Sequence, residues 1–310
     1  MLNRFKFSFL MLVSPNKYYI RTLLHKWIQI FLTSASFGCG WAGIVLSCVD
    51  TSNEFIWKII ISLFIVTVLI SFFLAIPNCY RSFKISGNGG SKIELVVGDI
   101  LKDSDDMIIP SNTFFDTSRQ IISFKSIQGQ LVNRKYDGCL ADLDRGIDVA
   151  LMNSKIEGKI ISEKVIGRNI RYPLNSILAV SKSSLSDSQR FYLLALCDFT
   201  NEGDIIKDKT NIHDSVNSIW KYLQEHIHVR NLCIPVLGTG LASKNIPQFD
   251  VMEVIIDSFL VEVTKLRFVD TLRIYLYPKG PETFTAFHLA GQYIQHRIEN
   301  ISAIELKSIF

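Results

Sequence analysis

Three short segments carry residue types suited to holding a polar ligand: Gly98-Asp99-Ile100, Ser111-Asn112-Thr113-Phe114-Phe115-Asp116-Thr117 and Leu237-Gly238-Thr239-Gly240. Two glycines flanking a threonine let backbone N–H groups turn toward a cavity and hold a phosphate, although the same tripeptide also ends strands as an ordinary turn. Asp99 can accept hydrogen bonds from an exocyclic amine, or cap a helix or turn. Asn112 offers a donor and an acceptor to hydroxyl groups, or closes an Asx-turn. Phe114 and Phe115 could enclose a flat group, or fill a core. Asp116 is the one nearby candidate for general acid–base work.

Other polar groups point to less. His226 and His228 face different directions at a helix end, and no cysteine or carboxylate lies at metal-ligand spacing, so no metal is assigned. Asp142, Asp144, Arg145 and Asp148 read as a solvated helix face. The 6 cysteines show no paired spacing, which fits free thiols in a reducing compartment. The net charge of +4 comes from lysines and arginines flanking apolar segments, and no basic patch argues for nucleic acid.

The three segments each follow an apolar run. Ile93–Val97, Met107–Pro110, Ile177–Val180, Phe191–Cys197, Leu232–Leu237 and Leu272–Tyr277 read as buried strands. Between them, Ile212, Val216, Ile219, Leu223 and Ile227 share one helical face. Val251, Ile255, Phe259, Val263 and Leu266 do the same after a helix start at Pro247, and residues 284–298 form a last helix. Strands alternating with helices predict an α/β/α sandwich with a parallel or mixed sheet over residues 91–310. In such sheets ligands bind at the carboxyl ends of the strands, where the three segments fall.

The mean hydropathy of +0.24 is high, and most of the excess lies before residue 80. Residues 28–49 and 55–76 are apolar runs that as helices would each be roughly 33 Å long, enough for a hydrocarbon core of about 30 Å. A transmembrane hairpin joined by Asp50–Glu54 is expected, because two such runs leave no polar face for a soluble core helix. Arg4, Lys6, Lys17, Arg21 and Lys26 in residues 1–27, and Arg81, Lys84 and Lys92 after the second run, predict both termini in the cytoplasm. The Phe5–Val13 run is too short, and its flank unsuited, for a cleaved signal peptide. Ser34, Ser36, Gly38, Gly40 and Ala42 stand at small-xxx-small spacing, for packing within the hairpin or between chains. Residues 77–90 read as a linker.

Taken in order, the three segments resemble the macro domain, an ADP-ribose-binding α/β/α fold. The family's Gly-Asp-Ile signature stands at Gly98-Asp99-Ile100, its Asn-bearing strand end at Asn112, and its second phosphate loop at Leu237-Gly238-Thr239-Gly240. The glycine-rich first phosphate loop is replaced by Thr113–Thr117. This pattern with two N-terminal spans is similar to the membrane-anchored macro proteins of bacterial Thoeris anti-phage systems. The resemblance implies an abortive-infection effector in the cell inner membrane. Its macro domain would bind an NAD-derived ADP-ribose conjugate made by a TIR-domain enzyme, then form a homo-oligomer and disrupt the lipid bilayer. It implies a ligand but no cofactor. Asp99 would meet adenine, and the implied ligand residues are Asp99, Ile100, Asn112, Phe115, Asp116, Leu237, Gly238, Thr239 and Gly240. Other classes of function are a tethered ADP-ribosyl hydrolase relying on Asp116, an ADP-ribose reader, and an anchor without a ligand.

Overall fold

The computed structural model describes residues 17–48, 54–85, 90–136, 139–181, 189–200, 205–206, 211–238 and 246–309, with backbone only for 17–18, 37–48, 55–56, 205–206 and 302–309. The chain divides into two units, Met1–Tyr80 with Pro278–Glu282 and Arg81–Tyr277 with Thr283–Phe310.

The first unit contains helices α1 (Lys17–Cys48) and α2 (Glu54–Ala75). They meet where Trp27 Nε1 donates to Ser71 Oγ at 3.1 Å and where the Phe31 and Phe64 rings stand edge to face at 5.9 Å. In α2, Leu63, Phe64, Phe73 and Leu74 point outward. Among the described residues one stretch, Trp57–Ala75, is long and apolar enough to cross a membrane. Helix α1 does not begin at the expected span boundary of Ile28 but at Lys17. Its first turns are amphipathic, with Tyr19 and Leu23 buried and Arg21, His25 and Lys26 exposed, so the helix extends N-terminally past the apolar run that begins at Ile28. The small side chains expected at Gly38, Gly40 and Ala42 and the 49–53 connection lie outside the described residues.

The second unit is built on a mixed sheet with path β1-β2-β10-β9-β3-β7-β6, to which β8 (Ile205–Ile206) adds beside β7. The strands are β1 (Tyr80–Lys84), β2 (Lys92–Val97), β3 (Asp106–Asn112), β6 (Ile177–Ser181), β7 (Arg190–Phe199), β9 (Val229–Pro235) and β10 (Val269–Leu276). A separate antiparallel pair joins β4 (Lys159–Ile160) to β5 (Ile170–Arg171). Strands β2, β10, β9, β3 and β7 run parallel, and β6 closes one edge antiparallel to β7. Consecutive residues of the central strands are buried, so both sheet faces are covered, as a three-layer α/β domain requires. Part of the stretch read as linker is strand: Tyr80–Lys84 alternates too weakly and is too short to announce itself, yet it lies beside β2.

The covering helices are α3 (Ile127–Lys135), α4 (Leu140–Asn153), α5 (Ile212–His226), α6 (Gln248–Lys265) and α7 (Pro281–Ile309). Asn211 caps α5 by accepting from His213 N at 3.0 Å. The apolar faces of α5 and α6 are buried as their spacing predicts, up to Ile227 and Leu266, where the helices end. Trp220 of α5 joins the two helices: its Nε1 donates to Ser258 Oγ at 2.8 Å, and its ring lies 5.5 Å from that of Phe259.

Candidate functional site

Because the five central strands are parallel, their carboxyl ends share one edge of the sheet. The segments after β2, β3 and β9 are therefore neighbours there. The chain leaves β3 toward β7 and leaves β9 toward β10, which makes the β3/β9 boundary a topological switch point. The ladder between these strands pairs only Asp106 with Leu232 and Met107 with Cys233, whereas β3 pairs with β7 from Met107 to Asn112, with a register shift between Ser111 and Asn112. The β3/β9 pairing thus lapses before the carboxyl ends, where crevices form in sheets of this class.

After β2, Asp99 caps a short 3-10 helix (Ile100–Lys102) by accepting from Leu101 N at 3.1 Å. Its second oxygen accepts from Arg134 Nη1 of α3 at 2.6 Å. The carboxylate is about a quarter exposed, and Ile100 is buried. The capping role and the ability to accept one further hydrogen bond coexist, since an ionised carboxylate has about four acceptor positions.

After β3, Asn112 organises the turn. Its Oδ1 accepts from Phe114 N at 2.9 Å and from Asp116 N at 3.2 Å, which realises the Asx-type geometry. Its Nδ2 and the Ser111 hydroxyl are buried and make no protein hydrogen bond. Thr113 bridges to β7 through its Oγ1, which donates to Asp198 Oδ1 at 2.7 Å. Phe115 adopts φ 51°, a left-handed conformation costly for a bulky residue.

The two phenylalanines do not offer ring faces to a ligand: Phe114 and Phe115 are both 0% exposed. Phe114 packs with Ile122 and Phe199 and beneath the Lys164 ammonium, 4.4 Å from its ring. Phe115 packs against Tyr172 at 5.7 Å. A flat apolar ring that can reach a core stays there, and of the two roles open to this pair the structure shows packing.

Asp116 is likewise 0% exposed and paired with the equally buried Lys164 at 3.1 Å. It also accepts from Arg168 N at 2.7 Å. Burial pushes its carboxyl above the ordinary range, while the Arg168 N–H and the Lys164 ammonium draw it down. So placed, both carboxylate oxygens are engaged by protein donors. It lines a cleft of about 720 Å³ whose wall also includes Thr117, Asp144, Asp148 and Arg168. Arg168 spans Asp148 at 2.6 Å and Asp144 at 3.3 Å, so part of the supposed solvated face of α4 is an ion-pair network at the cleft.

After β9, Leu237 is buried and Gly238 takes φ +69°. This left-handed backbone is what calls for glycine here, and a Cβ on Gly238 would stand 2.9 Å from the terminal methyl, Cδ1, of Ile212 in α5. Thr239 and Gly240 lie outside the described residues.

Sequence reading missed Arg134, Lys164, Arg168 and a third cluster. Asp103, Asp105 and Cys233 converge with metal-ligand geometry, but the cation between the carboxylates is Arg273. Its guanidinium binds Asp103, Asp105 at 2.9 Å and Glu94 at 2.9 Å. Burial pushes the Cys233 thiol well up, leaving it a poor metal ligand. His226 stacks on Tyr222 and His228 meets Asp270.

The class so defined is a three-layer α/β domain with its polar loops gathered at the switch point. The profile of the family described as "Thoeris protein ThsA, Macro domain" matches residues 93–277. The chain belongs to that family. Its fold is similar to a macrodomain of Oceanobacillus iheyensis solved with ADP, at 12% identity and a TM-score of 0.43 over 70% of this chain and 98% of that one. It is also similar to a Trypanosoma brucei macrodomain in complex with ADP-ribose, at 8% identity and a TM-score of 0.40 over 63% and 67%. No curated protein matches it.

Proposed function

We propose that the second unit binds ADP-ribose or a conjugate of it at the carboxyl edge of β2, β3 and β9. The observation that carries this reading is the pair of unpartnered buried groups, Asn112 Nδ2 and Ser111 Oγ, at the switch point of a macro-family domain. Buried polar atoms in folded proteins are almost always satisfied, so two at one strand end call for a partner from outside the chain. Asp99 serves the adenine amine, Asn112 Nδ2 a ribose oxygen, and the Gly238–Gly240 segment a phosphate. Asp116 is engaged with Lys164, which favours binding over ADP-ribosyl hydrolysis.

In the same reading the ligand is an NAD-derived signal supplied by a TIR-domain enzyme, and the chain is an anti-phage effector. The N-terminal helices span the cell inner membrane with both termini cytoplasmic, and ligand binding drives oligomerisation that breaches the bilayer. Ligand can shift chains into an assembled state only by binding that state more tightly. The test is calorimetric titration of the detergent-solubilised full chain with ADP-ribose and NAD, with sizing of each mixture. Binding with a larger species supports sensor and effector together. Binding without assembly leaves a reader, and no binding removes the proposal.

A further inference from the structure

We propose that Lys164 is the positioning residue of loop 113–117, whose amides hold the Asn112 side chain, welding it to the turn at residues 164–168. This rests on the ADP-ribose reading above. The loop has no glycine to relax it, and Phe115 sits at φ 51°, so its conformation must be imposed from outside. Asn112 fixes the start of the loop through the Phe114 and Asp116 N–H groups. Its far end is held by Thr117 Oγ1, which donates to Asp144 Oδ1, and by the Asp116 carboxylate, whose two oxygens receive Lys164 Nζ at 3.2 and 3.1 Å.

Lys164 is in turn anchored from four sides. Its ammonium donates to Ile166 O at 2.5 Å and to Arg168 O at 2.7 Å, and it stands over the Phe114 ring. The bond from Arg168 N to Asp116 Oδ1 closes the ring of contacts. Gly167, at φ +78°, lets the turn approach this closely, since a Cβ there would lie 2.2 Å from Asp116 Oδ1. Gln128 Nε2 holds the Asp116 carbonyl at 2.7 Å from α3. An ammonium with every donor used by the loop and the turn holds them as one body, and a preformed loop lowers the ordering cost of binding.

The experiment compares ADP-ribose affinity and amide hydrogen exchange in the full-length, detergent-solubilised wild type, Lys164→Ala and Gly167→Ala. The Lys164→Ala chain should bind about tenfold more weakly or worse. Its Phe114, Asp116 and Arg168 amides should lose protection while those of β9 and β10 keep theirs. Propylammonium, which replaces the missing Cγ to Nζ of the side chain, should restore affinity where the same concentration of tetramethylammonium does not. Gly167→Ala buries no unpaired charge and tests the same weld if Lys164→Ala does not fold; it too should bind more weakly. Wild-type affinity in both variants overturns the proposal, as does equal rescue by the two ammonium ions. Failure of the wild type itself to bind ADP-ribose overturns the functional reading and this one with it, and that outcome is visible before any variant is made.

Discussion

The Asp99 carboxylate is shared between the Leu101 amide and the Arg134 guanidinium, at 3.1 and 2.6 Å. The amide fixes where the carboxylate sits, and the arginine, partly exposed, adds charge that water can replace. Arg134→Ala should therefore cost at most about 1 kcal/mol of stability and leave ADP-ribose affinity within about twofold. Asp99→Ala should lower affinity by about tenfold. Denaturant melts and calorimetry on the two variants check this, and a larger loss from Arg134→Ala would mean that the arginine itself contacts the ligand.

Asn112 does two jobs with two atoms, and substitution separates them. Asn112→Asp keeps the oxygen that accepts from Phe114 N and Asp116 N but removes the unpartnered donor. It should keep the loop amides protected from exchange while abolishing measurable ADP-ribose binding. Asn112→Ala should lose both, with about 1–3 kcal/mol of stability for the two stranded N–H groups. Undiminished binding by Asn112→Asp would remove Nδ2 from the site.

Arg273 neutralises Glu94, Asp103 and Asp105, so removing it takes the guanidinium from three carboxylates and leaves Glu94 with Lys92. Arg273→Met should destabilise the chain by about 3–5 kcal/mol at neutral pH. Burial raises the Asp103 pKa, but Arg273, the Tyr275 hydroxyl and backbone hydrogen bonding outweigh it and hold the group below its ordinary 3.8. A carboxyl whose folded pKa is lowered stabilises the fold above its unfolded value and loses that contribution as pH falls through the folded value. Wild type should thus lose stability below about pH 4, and Arg273→Met should lose less over the same interval. Thermal melts between pH 3 and pH 7 compare the two slopes.

Leu69 lies in the outward face of α2, within Trp57–Ala75. If that stretch spans a bilayer, Leu69→Arg adds about 2.5–3.5 kcal/mol to the free energy of insertion. The variant should then move from the carbonate-resistant membrane pellet toward the soluble fraction, where the wild type should not be found. Equal extraction of both chains would argue against a spanning helix.

Strands buried on both faces were legible because they are unbroken apolar runs: Ile93–Val97 and Leu272–Tyr277 foretell β2 and β10 to within a few residues. Short β1 and β8 at the margins of the sheet have no such run. Helix α3 was missed because its start, Gln128-Gly129, is polar and small although buried by tertiary contacts. At the site, Asp99, Asn112 and Gly238 could be found because turn chemistry is local. Their partners could not. Arg134 meets Asp99 from 35 residues away, and Lys164 meets Asp116 from 48, separations at which no periodicity connects two residues. The same limit made Phe114 and Phe115 ambiguous, since only packing decides whether an aromatic beside a polar loop faces in or out.

The position of β10 between β2 and β9 sets an order on biosynthesis. Lys92 finds Thr271, and Val97 finds Leu276, only after nearly the whole domain has been made. Until then the nascent chain holds β2 without its inner neighbour and β9 with one side open. The α/β unit must close late, well after the two N-terminal helices have emerged. A chain cut short between β9 and residue 269 would carry two adhesive apolar strand edges and nothing to seal them, a substrate for chaperones and proteases.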